Sequence, residues 1–202
     1  MIHAFLVETY ETERLKTLGV WSQVRDQDME FRAEPRARTP REHMVHQCVS
    51  EDVWMRTMLG IDAGTPALPP RETRLEFIER YASISGVRLA RLREMPDAWF
   101  GERVRFFDVE RTRAWVLVRR FLHSSHHRGQ LTALLRLRGQ ALYSTYGPTA
   151  DTGGLFQNRA PVIYRYAHVD ALLAAERAGG AGPPLPGPGA NAPTERPSPP
   201  GV

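Results

Sequence analysis

Apolar residues recur at helical spacing in four long stretches of the chain, and most of these have a recognisable start or stop. Ile2, Phe5, Leu6, Leu15, Leu18 and Trp21 mark the first, over residues 2–24, with glutamate and arginine between them. The polar run from Asp26 to Arg38 carries Pro35 and breaks the pattern. Thr39-Pro40-Arg41-Glu42 then opens the second helix. A threonine hydroxyl at the cap can accept from a free backbone N–H. Proline is preset for the first helical position, and a glutamate three residues on can reach back to the cap amide. The stripe continues through Met44, Val45, Val49, Val53, Trp54 and Met58 and is expected to stop near Gly60, before the proline-rich loop Gly64–Pro70. Leu75, Ile78, Tyr81, Ile84, Leu89 and Leu92 predict a third helix over 71–95, with Gly86 a weak point inside it. Pro96-Asp97 reads as a turn, and Val104–Val109 fits either a short strand or an extended loop.

Trp115, Val118, Leu122, Leu131, Leu134 and Leu135 mark a fourth helix over 112–138, closed by Gly139. Residues 140–166 are irregular, with a candidate strand at Val162-Ile163-Tyr164, and a small helix follows over 168–178. Four long helices with short connections predict an all-α four-helix bundle over residues 1–178, with a short C-terminal helix. From Gly179 the composition changes. Residues 179–202 hold 8 prolines and 6 glycines in 24 positions. Too little apolar surface remains there to offset the entropy of ordering, so this Pro/Gly-rich stretch is expected to be a disordered tail. Its PxxP window Pro183–Pro186 makes a weak case for a partner that reads polyproline.

Composition narrows the function classes. The chain has 202 residues, 42% hydrophobic and 25% charged, which is ordinary globular usage. No stretch approaches the roughly 20 apolar residues of a membrane span. The first residues carry Glu8 and Glu11 behind a short apolar run, unlike a signal peptide. Cys48 is the single cysteine, which excludes an internal disulfide and fits a cytoplasmic location. The net charge is +4, and all basic residues but Lys16 are arginine. These arginines are interleaved with acids, as in Glu72-Thr73-Arg74-Leu75-Glu76, a pattern of solvated helix faces. No nucleic-acid partner is therefore expected.

The chemistry concentrates in Leu122-His123-Ser124-Ser125-His126-His127-Arg128-Gly129-Gln130. His123 and His127 are four apart, which on a helix places them on one face with Cβ atoms about 5–6 Å apart. Such a pair can share a metal ion, or can be two partly buried histidines with backbone partners. A metal in a bundle core needs a further ligand from another helix, and the second helix offers His43 and His46. Helix-borne protease sites place a glutamate directly after the first histidine. Ser124 stands there instead, so that hydrolysis is not indicated. Cys48 lies about 200° around the helix from His46 and reads as a core residue. Arg128 is expected to be exposed or ion-paired, Gly129 to allow close helix packing, and Gln130 to orient a ligand or cap the bundle end. Glu51 and Asp52 are candidate acids behind the histidines, with a surface role favoured. His126 is expected to point away, and His3 and His168 carry no signal.

His-x-x-x-His-Arg-Gly-Gln, late in a helical chain with an earlier helical histidine, resembles the DinB/YfiT-like family of four-helix-bundle proteins. The resemblance spans roughly residues 1–175 in element order, and its specific part is the histidine positions. It implies a divalent metal ion, zinc or nickel, held by His46, His123 and His127, and a homodimer. Three imidazoles leave a coordination position open, as reactive sites do. By resemblance the activity would be transfer of a low-molecular-weight thiol, of the mycothiol or bacillithiol type, to an electrophilic substrate. Alternatives are a metal-dependent hydrolase, or a metal-binding stress protein without catalysis. No catalytic residue beyond the ligands is assigned.

Overall fold

The computed structural model describes residues 2–190. Helix α1 spans Ala4–Trp21 and is followed by a single 3-10 turn, Asp26–Asp28. Helix α2 spans Pro40–Val53, and its start is the one its sequence predicts. The Thr39 hydroxyl accepts from the Glu42 amide at 3.2 Å, and the Glu42 carboxylate accepts from the Thr39 amide at 2.9 Å. Two of the free amides of the first turn are thereby satisfied. The helix does not run on uniformly to Gly60. At Trp54–Met58 it widens into a π-helical turn closed by the Leu59 amide on the Trp54 carbonyl at 3.2 Å, and Gly60 then leaves it at φ +71°. Such widened turns re-aim side chains, and this one lays Trp54 beside the histidines.

Helix α3 spans Arg74–Glu94. Gly86 is tolerated inside it for a reason of space: a Cβ there would come within 3.3 Å of the Arg14 guanidinium. The Pro96-Asp97 turn is a five-residue helix, α4, Asp97–Gly101. The ambiguous segment after it is a two-stranded antiparallel hairpin, β1 Arg103–Phe106 and β2 Val109–Thr112, with Phe106 opposite Val109. Helix α5 spans Arg113–Leu137 and is followed by Gly139 at φ +67°. Val162-Ile163-Tyr164 is not a strand. Ile163 instead ties to Ser144, which donates its amide to the Ile163 carbonyl at 2.9 Å and accepts the Ile163 amide on its hydroxyl at 3.0 Å. Helix α6, Val169–Arg177, starts on a cap by His168, whose ring accepts from the Ala171 amide at 3.2 Å.

The long helices α1, α2, α3 and α5 close a ring: α1 packs on α3 and α5, and α2 packs on the same two. Two apolar clusters fill it. Leu6, Tyr10, Trp54, Met55, Leu92, Phe100, Leu117 and Phe121 belong to one. Leu18, Trp21, Met44, Cys48, Phe77, Tyr81, Leu131 and Leu135 belong to the other. Gly129 does not serve close packing as expected. It is exposed, and a Cβ there would meet nothing within 4 Å.

The described part of the Pro/Gly-rich segment runs back along the loop after α5. Tyr143 donates its hydroxyl to the Pro183 carbonyl at 2.6 Å, and the Gly187 amide donates to the Asp151 carbonyl at 3.0 Å. The disorder expected of residues 191–202 lies outside the described residues. No helix among those described is long and apolar enough to cross a membrane.

Candidate metal centre

Helices α2 and α5 lie side by side. His46 on the first and His123 and His127 on the second converge there. Nε2 of His123 stands 3.3 Å from Nε2 of His46 and 3.3 Å from Nε2 of His127. One ring nitrogen from each histidine falls within 4.8 Å of the others, so the three could hold one ion. Two imidazole nitrogens in a tetrahedral shell of zinc radius sit about 3.3–3.4 Å apart, so the spacing fits a metal of that size.

The protonation states suit a ligand role. His127 is buried, while His46 and His123 are partly buried. Burial, then the charges of Arg120 and the neighbouring histidines, pushes His123 down to about 3. Burial and the other histidines push His127 down to about 4. His46 is lowered by burial, with Arg38 and Arg120 adding to it. All three rings are therefore neutral at physiological pH, and a neutral imidazole keeps one nitrogen lone pair, on Nδ1 or Nε2 according to its tautomer.

What stands behind each ring differs. Nδ1 of His127 lies 3.0 Å from Oε1 of Gln130, which can only accept, so this ring carries its proton on Nδ1 and turns its Nε2 lone pair toward the cluster. Gln130 thus orients His127, one of the two roles its position suggested. Behind His123 stands Arg120, whose Nη1 donates to Nδ1 at 3.3 Å and to the Ser50 hydroxyl at 2.8 Å. Trp54 flanks the same histidine, ring centroids 5.4 Å apart, and Phe106 of the hairpin stacks edge-on against Trp54 at 5.2 Å.

Arg120 leads into a buried polar layer fed by all four long helices. Its guanidinium pairs with Glu51 at 3.5 Å, and Arg88 does so at 3.3 Å. Tyr10 and Tyr81 donate their hydroxyls to the two Glu51 oxygens at 2.7 and 2.9 Å. Glu51 is 1% exposed, which overturns the surface role expected of it. Burial alone would raise its pKa. Arg120, Arg88 and the two tyrosine hydrogen bonds outweigh burial and hold the carboxyl below its ordinary value. Both oxygens are engaged, so Glu51 is a fixed negative charge rather than a proton carrier. Asp52 takes the outer edge of the layer, accepting from Arg88 at 2.9 Å.

The remaining candidates fall outside the cluster. His43 is 4% exposed, with its ring centroid 5.4 Å from that of His127, but it is not among the three whose nitrogens converge. His126 is exposed. Cys48 is buried and its thiol is pushed up by that burial, as befits a core residue. Arg128 is ion-paired, as one alternative had it, but buried: it holds Glu13 and donates to the Thr17 hydroxyl at 2.9 Å. Arg120 was not singled out in the sequence. The available signal was its spacing: Arg120, His123 and His127 share one face of α5.

Comparison with known proteins gives the family and the fold. A sequence profile of the DinB superfamily matches residues 9–131, a span that contains all three histidines. The crystal structure of a DinB-like protein from Bacillus cereus superposes with a TM-score of 0.60 at 19% identity, covering 68% of this chain and 95% of the other. A DinB-like protein from Bacillus subtilis gives a TM-score of 0.55 at 14% identity, covering 68% and 94%. Identity at this level establishes a shared fold. No curated protein matches the chain.

Proposed function

Because the chain belongs to the DinB superfamily, we propose that His46, His123 and His127 hold a divalent metal ion, zinc or nickel, and that the protein uses it to transfer a low-molecular-weight thiol to an electrophile. The observation that carries the metal reading is the convergence of three neutral imidazoles with Nε2 separations of 3.3 Å. Bound there, the ion would act as a Lewis acid and favour the thiolate over the thiol.

The chain's own residues favour a thiol over water as the nucleophile. Activating water calls for a nearby base to carry its proton. Among the described residues, the acid closest in connection to the histidines is Glu51, and both its oxygens are bound by tyrosine and arginine. A thiol loses its proton far more readily and has less need of a base. Gln130 fixes the ring of His127, and Trp54 with Phe106 shields one side of His123 from water. Hydrolysis, and metal binding without catalysis, are the competing readings. A homodimer is part of the same proposal, and the exposed Trp115, Val118 and Leu122 on α5 offer it an apolar face.

The test is metal content by mass spectrometry on tag-free protein, followed by assays with thiols and model electrophiles. Near-stoichiometric metal with thiol-dependent turnover supports the proposal. Metal with turnover of esters or amides alone moves the reading to hydrolysis. Protein that neither contains nor takes up zinc or nickel removes its chemical basis. Light scattering reads the dimer.

A further inference from the structure

Beside His127, on the side where Gln130 holds it, lies a cleft of about 520 Å³. Its walls are Arg36, Ala37, Arg38, His43, Gln130, Ala133 and Leu134, with no carboxylate among them. Arg36 is neutralised by Glu34 at 2.9 Å. Arg38 is not: among the described residues its guanidinium has neither an ion pair nor a hydrogen bond, although most arginines of this chain have an acid partner. Gln130 gives its oxygen to His127 and keeps its amide N–H groups free. His43 is only 4% exposed, and its Nδ1 has no hydrogen-bond partner. A buried polar atom without a partner is costly unless something completes it.

The cleft thus carries one guanidinium outside any ion pair, several uncommitted N–H donors and an apolar floor of Ala133 and Leu134. We propose that it is a binding subsite for an oxyanion, a carboxylate or phosphate group, on the molecule that reacts at the histidine cluster. A guanidinium pairs with such a group through two parallel hydrogen bonds, which fixes orientation as well as position. The subsite and the cluster share a wall, because Gln130 both lines the cleft and orients His127, and because the ring of His43 lies 5.4 Å from that of His127. An anion seated against Arg38 leaves the rest of its molecule next to the reacting position. The substrate class is therefore a molecule that carries a carboxylate or phosphate group.

The link to a reaction rests on the proposed function, but the binding of an anion does not, and the experiment separates them. Chelator-treated, metal-free full-length protein is titrated with inorganic phosphate and, separately, with acetate, at constant ionic strength set with chloride. Affinity and the side-chain amide signals of Gln130 are followed by NMR. Arg38→Gln is the test variant, and Arg103→Gln, on the far hairpin, is the control. The expected result is saturable binding of at least one of the two anions, with shifts at Gln130. Arg38→Gln should weaken it tenfold or more, and Arg103→Gln should leave it unchanged. Absence of saturable binding of either anion, or equal binding by wild type and Arg38→Gln, overturns the subsite. Anion binding in a protein that proves unable to take up metal would leave the subsite standing and remove only the reaction.

Discussion

Nη1 of Arg120 donates to Nδ1 of His123 across 3.3 Å, and this contact sets that histidine against its neighbours. A guanidinium has no acceptor, so Nδ1 must offer its lone pair and the ring proton sits on Nε2. There it faces Nε2 of both His46 and His127. The metal-free cluster is thus a directed chain: arginine to His123, His123 to its partners, His127 to Gln130. A metal needs the Nε2 lone pair of His123, so the proton must leave that nitrogen, and a proton on Nδ1 cannot coexist with the Arg120 contact. Arg120 therefore opposes loading, by hydrogen-bond direction and by charge. Arg120→Gln, whose oxygen can accept from Nδ1, should tighten zinc binding by about tenfold. Calorimetric titration of apo protein reads this, and equal or weaker affinity would show that Arg120 does not oppose the metal.

The identity of the third ligand is separable by mutation. His123→Ala, His127→Ala and His46→Ala should each remove stoichiometric metal, whereas His43→Ala should retain it. Gln130→Ala should keep the ion but bind it about tenfold more weakly, since His127 loses the oxygen that fixes its ring. Metal content by mass spectrometry decides each case. Metal lost from His43→Ala and kept by His46→Ala would exchange the roles of those two residues.

Glu51 balances Arg88 and Arg120 inside the bundle. Glu51→Gln leaves two buried guanidinium groups with only Asp52 between them, and breaking a buried pair from one side costs about 3 kcal/mol or more. Urea denaturation should show that loss. A change within measurement error would mean that the buried charges find water or another partner.

Acid should weaken the metal-free fold before its carboxylates titrate. His43 and His127 are each held down to about 4, and His123 to about 3, by burial first and after it by the neighbouring histidines, with Arg38 acting on His43 and Arg120 on His123. In the unfolded chain these rings titrate near about 6.5. Above that pH both states are neutral there and the contribution to stability is intact. As pH falls from about 6.5 toward about 4 the unfolded chain takes up protons that the fold refuses, so stability drops. Denaturation midpoints of chelator-treated protein should fall over that window, and His43→Asn should flatten the slope. A midpoint independent of pH across it would show that the rings are not held neutral.

Much of the fold was legible because its signals are local. The capping box at Thr39 and Glu42 uses atoms three residues apart, and the stop at Gly139 uses a backbone conformation that glycine adopts without strain. The stripes of the four long helices needed only the helical period. The hairpin at 103–112 was ambiguous because four-residue strands are too short to show a period. The π-helical turn at Trp54 left no mark in the spacing of apolar residues.

The site divides in the same way. His123 and His127 face one another by helical spacing alone, and the family resemblance pointed to His46. Glu51 was misread although its position held a clue: it falls on the buried stripe of Met44, Cys48 and Met55, where a glutamate at a core position signals a partner. The sequence could give the stripe but not the partner. Tyr10, Tyr81, Arg88 and Arg120 reach Glu51 from three other helices, across 30 to 41 residues in the case of the two tyrosines. By itself, then, the sequence determined where the helices start and which faces they bury, since those follow from the geometry of a single turn. Which charged groups meet inside the bundle, and hence that His123 faces an arginine while His127 faces a glutamine, only the tertiary structure decided. A buried charge is tolerated only beside a partner that completes it, and partners drawn from separate helices leave no period along the chain.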